Sequence, residues 1–230
     1  MTISTCAQSP RRQRRSDKDV FHSFMVKNAH FAGEFDMPCL DPVRTKAADL
    51  ISFPEAMSAK CHEYGNFVHF FVDDFRFERL WNNPERYKDK LKMFAGVIEP
   101  DFSTCPNFPG AIKLYNAYRN RACARWMQDN GITVVPNVRV DYQSSEYLLP
   151  GIPHHSTIAI GAHGCIKNKA NRRRFIDTLK LVVDKLKPSN ILVYGSDAYG
   201  AFDYPRHLGI ELSFYADHAF ERYGGDSHER

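Results

Sequence analysis

The 230-residue sequence has no uninterrupted apolar stretch approaching the roughly 18 residues that a membrane-spanning helix requires, and its arginine-rich start lacks the apolar segment of a secretory signal. The expectation is a cytoplasmic chain with no membrane partner. Its six cysteines, Cys6, Cys39, Cys61, Cys105, Cys123 and Cys165, form no Cys-x-x-Cys pair and no short Cys/His spacing. That spacing argues against a disulfide scaffold or a structural zinc site and fits buried, reduced thiols. Also missing are a Walker phosphate loop, a Gly-x-Gly-x-x-Gly opening a helix, a Gly-x-Ser-x-Gly elbow and a His-Glu-x-x-His pair. Without them the commonest nucleotide-binding, serine hydrolase and zinc protease assignments fall away.

What is present is an ordinary globular composition, 43% hydrophobic and 13% aromatic, in a chain long enough for one sizeable core. The formal net charge of +4 is unevenly spread. Residues 1–19 carry Arg11, Arg12, Arg14, Arg15 and Lys18 against two acids, and residues 165–187 carry eight basic side chains against two acids. The rest of the chain is acidic on balance, so contact with phosphates is allowed but the overall basicity of a dedicated nucleic-acid binder is absent. Residues 1–19 hold almost no large apolar side chains and read as a flexible basic tail, followed by a single α/β domain over residues 20–220 and a polar C-terminal tail over 221–230.

From residue 67 the sequence is regular. Phe67 to Val72 is an apolar run of strand type that stops at Asp73-Asp74, and a helical stretch opened by Pro84 follows. Gly96-Val97-Ile98 predicts a second strand. After it Pro109 opens a long helix with Ile112, Tyr115, Tyr118, Ala122 and Trp126 on its core face, ended by Gly131. Residues 132–138 and 157–160 predict two more strands, joined by a polar loop from Asp141 to Pro153. A helix with a Phe175, Leu179, Val182 and Leu186 face stops at Pro188, and Ile191 to Tyr194 and Ile210 to Tyr215 give the last two strands. Residues 20–60 alternate short apolar groups with turns and offer room for further strands. Apolar strands alternating with amphipathic helices predict an α/β fold, a mainly parallel sheet of five to six or more strands with covering helices, open or curled into a partial barrel.

Such sheets bind ligands outside the carboxyl ends of their strands. The residues expected there are Asp73 and Asp74, Glu99 and Asp101, Asn137, Arg139 and Asp141, His163, and Ser196 and Asp197. Hard cations such as magnesium or manganese prefer carboxylate oxygens, so Asp73, Glu99 and Asp101 are the candidate metal ligands of a phosphoryl-transfer site. Arg119 and Arg121 offer planar forks either to phosphate or to these same carboxylates. Competing structural roles apply throughout. Asp74, Ser103 and Asp197 sit where helix caps are usual. Tyr118 and Trp126 have core spacing, and His154-His155 lies in a polar loop. His163 stands beside Gly161 and Gly164, which leave space for a ligand. Lys167, Lys169, Arg172, Arg173 and Arg174 either contact DNA or RNA together with the arginine tail or form a solvated helix face.

Through these residues the chain resembles the family called domain of unknown function 4417, found in bacteria, phages and other mobile genetic elements. The resemblance is carried by Asp73 to Pro84, Gly96-Val97-Ile98-Glu99-Pro100-Asp101-Phe102-Ser103, Tyr115 to Arg121, Val135-Pro136-Asn137-Val138-Arg139, Gly151-Ile152-Pro153, His163-Gly164-Cys165 and Val193 to Ser196. It implies a phage or mobile-element setting and brings no catalytic residues with it.

Two readings follow. In one, an accessory protein acts on nucleic acid or nucleotides at the carboxylate rim by metal-dependent phosphodiester chemistry, with Asp73, Asp74, Glu99, Asp101, Arg119, Arg121, Asp141, His163 and Asp197 as the catalytic set. In the other, a noncatalytic module engages nucleic acid or a host protein through the basic helix and tail. Paired carboxylates also suit a sugar or other small metabolite.

Overall fold

The computed structural model describes residues 19–58, 60–139 and 145–216. Arg11, Arg12, Arg14 and Arg15, Asp141 and the segment 221–230 lie outside the described residues. The described chain enters through a 3-10 turn, Ser23–Val26, and a small antiparallel pair, β1 (Phe31–Ala32) and β2 (Met37–Pro38).

Seven parallel strands follow: β3 (Leu50–Ser52), β4 (Phe67–His69), β5 (Gly96–Ile98), β6 (Val134–Val135), β7 (Thr157–Gly161), β8 (Asn190–Tyr194) and β9 (Glu211–Tyr215). Within each sheet every strand pairs with its successor in the chain, as crossover connections favour. The ladder divides into a four-stranded sheet, β3-β4-β5-β6, and a three-stranded sheet, β7-β8-β9. Between them runs an isolated parallel bridge, Asn137 to Ala159, in which Val138 N–H donates to Ala159 O and Ala159 N–H to Pro136 O, both at 2.8 Å. Pro136 has no N–H to give towards β7, and on the β5 side the Asn137 N–H goes to the Glu99 side chain at 2.9 Å, so the ladder with β5 stops at Val135 and the pairing with β7 stays an isolated bridge. The expected α/β class and parallel sense hold, but five to six strands do not share one ladder. The strand β3, in the segment that offered room for further strands, opens the first sheet.

Side-chain alternation along these strands builds the layers. Val68, Val97 and Val134 point into a cluster with Phe53, Leu80, Leu91, Trp126 and Met127 from α1 (Phe53–Ala56), α2 (Glu78–Asn82), α3 (Glu85–Leu91) and α4 (Gly110–Asp129). Ile158, Ile160, Ile191 and Val193 meet Phe175, Leu179, Val182 and Leu186 of α6 (Lys169–Leu186), with Phe202 packed beside α7 (Asp203–His207). On the other face Leu50, Phe67, Ile98, Val135, Ala159, Leu192 and Tyr215, one from each parallel strand, form a third cluster. Both sheets therefore curve about a shared interior. The Tyr215 hydroxyl donates to Ala47 O at 2.9 Å and Lys46 pairs with Glu211 at 2.6 Å, tying β9 to the chain that enters β3.

The long helix departs from the expected stripe. Ile112 and Tyr115 are about half exposed, whereas Lys113, Asn116, Asn120 and Arg121 are buried together with Ala117 and Ala124. The polar loop before β7 contains the short helix α5 (Ser145–Leu148). Beyond it Gly151 adopts φ +80° and a Cβ there would sit 2.3 Å from Pro38 O. Gly151→Ala should therefore lower the unfolding free energy by roughly 2 kcal/mol or more, through left-handed strain and the backbone clash, seen as a lower urea midpoint at unchanged slope.

Candidate functional site

The carboxyl ends of β5, β6 and β7 surround a cleft of about 400 Å³. Its lining includes Phe71 after β4, Asp101, Thr104, Cys105 and Pro106 after β5, Asn137 and Arg139 after β6, and Gly161, Gly164 and Cys165 at and beyond the end of β7. Asn171, Arg174 and Phe175 of α6 complete it.

Helix α4 holds the wall formed by residues 102–106. Asn120 accepts from Phe102 N–H at 2.7 Å and donates to Phe102 O at 3.3 Å. Asn116 donates to Ser103 O at 2.5 Å and Lys113 to Pro106 O at 3.0 Å. These residues recur at three- and four-residue intervals, so they share one helix face and satisfy a loop backbone that would otherwise lose its hydration. Across the cleft, Gly161 leaves room for the Phe71 ring, which a Cβ would approach to 3.1 Å. Phe71 is stacked on Tyr194 with ring centroids 4.9 Å apart.

Asp101 accepts from Asn137 Nδ2 at 2.8 Å and from Arg139 at 3.0 Å. Burial raises its pKa, Arg139 and Asn137 oppose the rise, and the nearby Asp74 adds to it. One link inward, Glu99 is 2% exposed and its Oε2 accepts from Arg121 at 3.0 Å and from Asn137 N–H at 2.9 Å. Burial outweighs the Arg121 charge and pushes the Glu99 carboxyl up to about 7. Arg121 also donates to Leu148 O at 3.0 Å. Two buried oxygens of cleft residues, Asn137 Oδ1 and Thr104 Oγ1, have no hydrogen-bond partner among the described residues.

The rim expected from the sequence is partly assembled. Asp74, Glu99, Asp101, Asn137 and Arg139 share one electrostatic neighbourhood, with Arg121 as the counter-ion of Glu99. Asp74 accepts from the Ser103 N–H and hydroxyl, so it braces the neighbouring loop rather than capping its own turn. Asp73 is exposed. Arg119 lies 3.8 Å over the Phe102 ring and pairs with Glu78 at 2.8 Å, a packing role away from the cleft lining. Asp197 pairs with Arg206, and exposed His163 is not among the lining residues. The space at Gly161 is taken up by the Phe71 ring, whereas a Cβ at Gly164 would meet nothing within 4 Å. Among the described residues, no group of three or more His, Cys, Asp or Glu side chains is arranged to hold a metal ion.

Of the basic helix, Arg174 lines the cleft, Arg172 lies 4.4 Å over the Tyr199 ring, and Lys167, Lys169 and Arg173 are exposed. Sequence reasoning missed Phe71, Thr104, Cys105 and Asn171. A signal did exist for two of them, since Asp101 to Pro109 is a polar, turn-rich segment leading from a strand end to a helix.

A parallel α/β chain with a cleft at its strand ends is the class these features define. Residues 29–208 match the family described as domain of unknown function DUF4417, and the chain belongs to it. It is 37% identical over 132 residues to the Gene 1 protein of Mycobacterium phage L5, covering 57% of this chain and 58% of that protein. It is 31% identical over 170 residues to the Gene 1 protein of Mycobacterium phage D29, covering 72% of this chain and 62% of that protein. The chain thus spans about three fifths of the length of these phage relatives. No solved structure matches it. Among the described residues, no helix is long and apolar enough to cross a membrane.

The raised Glu99 pKa has a defined sign. Its stabilising contribution is complete below the ordinary value of 4.5 and is lost as pH rises through about 7. Unfolding free energies measured across that window should fall with pH more steeply in the native chain than in Glu99→Gln, which cannot ionise.

Proposed function

We propose that this protein binds a phosphate-bearing ligand, a nucleotide or a nucleic-acid end, in the cleft above β5, β6 and β7. The observation that carries the reading is the convergence of Arg139 and Arg174 on one cleft that also contains Asn171. Guanidinium forks match phosphate oxygens, and a concave site strengthens that attraction over an exposed one. Arg139 is already paired with Asp101, so it offers a held, preoriented donor, while Arg174 stands exposed at the mouth. Asn137 Oδ1 and Thr104 Oγ1 add polar character to the lining: both are buried oxygens without a hydrogen-bond partner among the described residues. The partly exposed ring of Phe71 suits a sugar or base beside the phosphate.

The carboxylates act in this reading as anchors for the arginine and amide donors. Metal-dependent phosphodiester chemistry is a separate matter for the same titration: a melting-temperature rise with millimolar magnesium or manganese alone, abolished by Asp101→Asn, would assign a cation to the rim.

Adenosine monophosphate, adenosine triphosphate and inorganic phosphate should each raise the melting temperature, with affinities readable by calorimetry. Arg174→Ala should weaken them about tenfold or more, the equivalent of one charge-assisted hydrogen bond, whereas Lys185→Ala at the far end of α6 should not. If no phosphate compound shifts the melting temperature, or if Arg174→Ala binds as tightly as the native chain, the proposal is wrong.

A further inference from the structure

The loop between β8 and α7 contains a feature that packing does not explain. Ala201 N–H donates to Ala198 O at 3.2 Å, and the two residues between them, Tyr199 and Gly200, have φ of +59° and +68°. This is a tight turn of the kind that favours Asn or Gly at both central positions. A tyrosine there is strained, and it recovers little by burial, since Tyr199 is 65% exposed. Its ring is instead held face-on by Arg172, whose guanidinium carbon lies 4.4 Å from the ring centroid. Arg172 is itself fixed by donating to Ile166 O at 3.2 Å.

Tyr199 therefore stands as a preoriented aromatic surface beside the first turns of α6. Those turns also present exposed Lys169 and Arg173, with Arg174 turned to the cleft. Arg172 and Arg174 are two residues apart, about 200° around the helix, so the cleft and the Tyr199 ring lie on opposite flanks of one basic helix start. An aromatic ring next to lysines and arginines matches the alternating base and phosphate of a single strand, whereas a duplex keeps its base faces stacked inward.

We infer that the cleft and Tyr199 together form a binding path for single-stranded nucleic acid, with a terminal phosphate in the cleft, the backbone crossing the start of α6 and a base stacked on Tyr199. The inference rests on the phosphate reading of the cleft and adds the polymer and its strandedness.

The test is fluorescence anisotropy with 5′-phosphorylated eight-residue DNA and RNA strands, the matching duplexes, and adenosine monophosphate as competitor. Single strands should bind more tightly than the mononucleotide and than the duplex, with affinity falling steeply as salt is added. Tyr199→Phe should retain binding, and Tyr199→Asn should weaken the single strand about tenfold or more while leaving mononucleotide affinity unchanged. Because Asn tolerates the turn, the same variant should melt no lower than the native chain, which separates a binding role from a structural one. Preference for the DNA or the RNA strand identifies the natural sugar. Equal binding of duplex, or undiminished single-strand binding by Tyr199→Asn, overturns the inference while mononucleotide binding leaves the cleft reading standing. Failure of the mononucleotide and the strands alike removes both.

Discussion

The buried contact between Glu99 and Arg121 is the constraint on which the site depends. The two side chains are 2% and 4% exposed, and taking both out of water costs several kcal/mol that their attraction only partly offsets. A hydrophobic pair of equal volume would serve stability as well. What it would not supply is reach: Glu99 fixes the Asn137 backbone, Asn137 fixes Asp101, and Arg121 fixes the carbonyl of Leu148. The ends of β5 and β6 and the short helix α5 are thereby held to one another by directional bonds, in a part of the fold where β6 supplies only two residues of ladder.

Around this node α4 departs from ordinary amphipathic design. Its inward face presents Lys113, Asn116, Asn120 and Arg121 among alanines, so the helix holds the 102–106 loop through hydrogen bonds instead of burying a wide apolar stripe. Small neighbours such as Ala117 and Ala124 let that face approach closely enough for short side chains to reach loop carbonyls. Ile112 and Tyr115, expected on the core face, are turned outward as a result.

Much of the architecture was legible in the sequence because apolar runs bounded by Pro, Gly and paired acids mark strands regardless of their partners. Phe67, Gly96, Thr157, Ile191 and Glu211 all begin or fall within strands as read. Sheet division was not legible, since it turns on one bridge at Asn137 and on Pro136 lacking a donor, and periodicity carries no such information. The cleft was half visible. Glu99, Asp101, Asn137 and Arg139 followed from strand-end position alone, but whether a carboxylate faces a cation or a guanidinium is a matter of helix rotation. Arg121 sits among buried residues of α4 because of where its neighbours pack, and nothing in the spacing of Tyr115 to Arg121 distinguishes that from a solvated face.

The isolated bridge between β6 and β7 has one more implication. The cleft lies over this seam, with Arg139 contributed from the four-stranded side and Arg174 from the three-stranded side. An occupant gripped by both would act as a staple across the join, so whatever loosens the join must loosen the grip, and by reciprocity an occupied cleft must stiffen the two halves into one body.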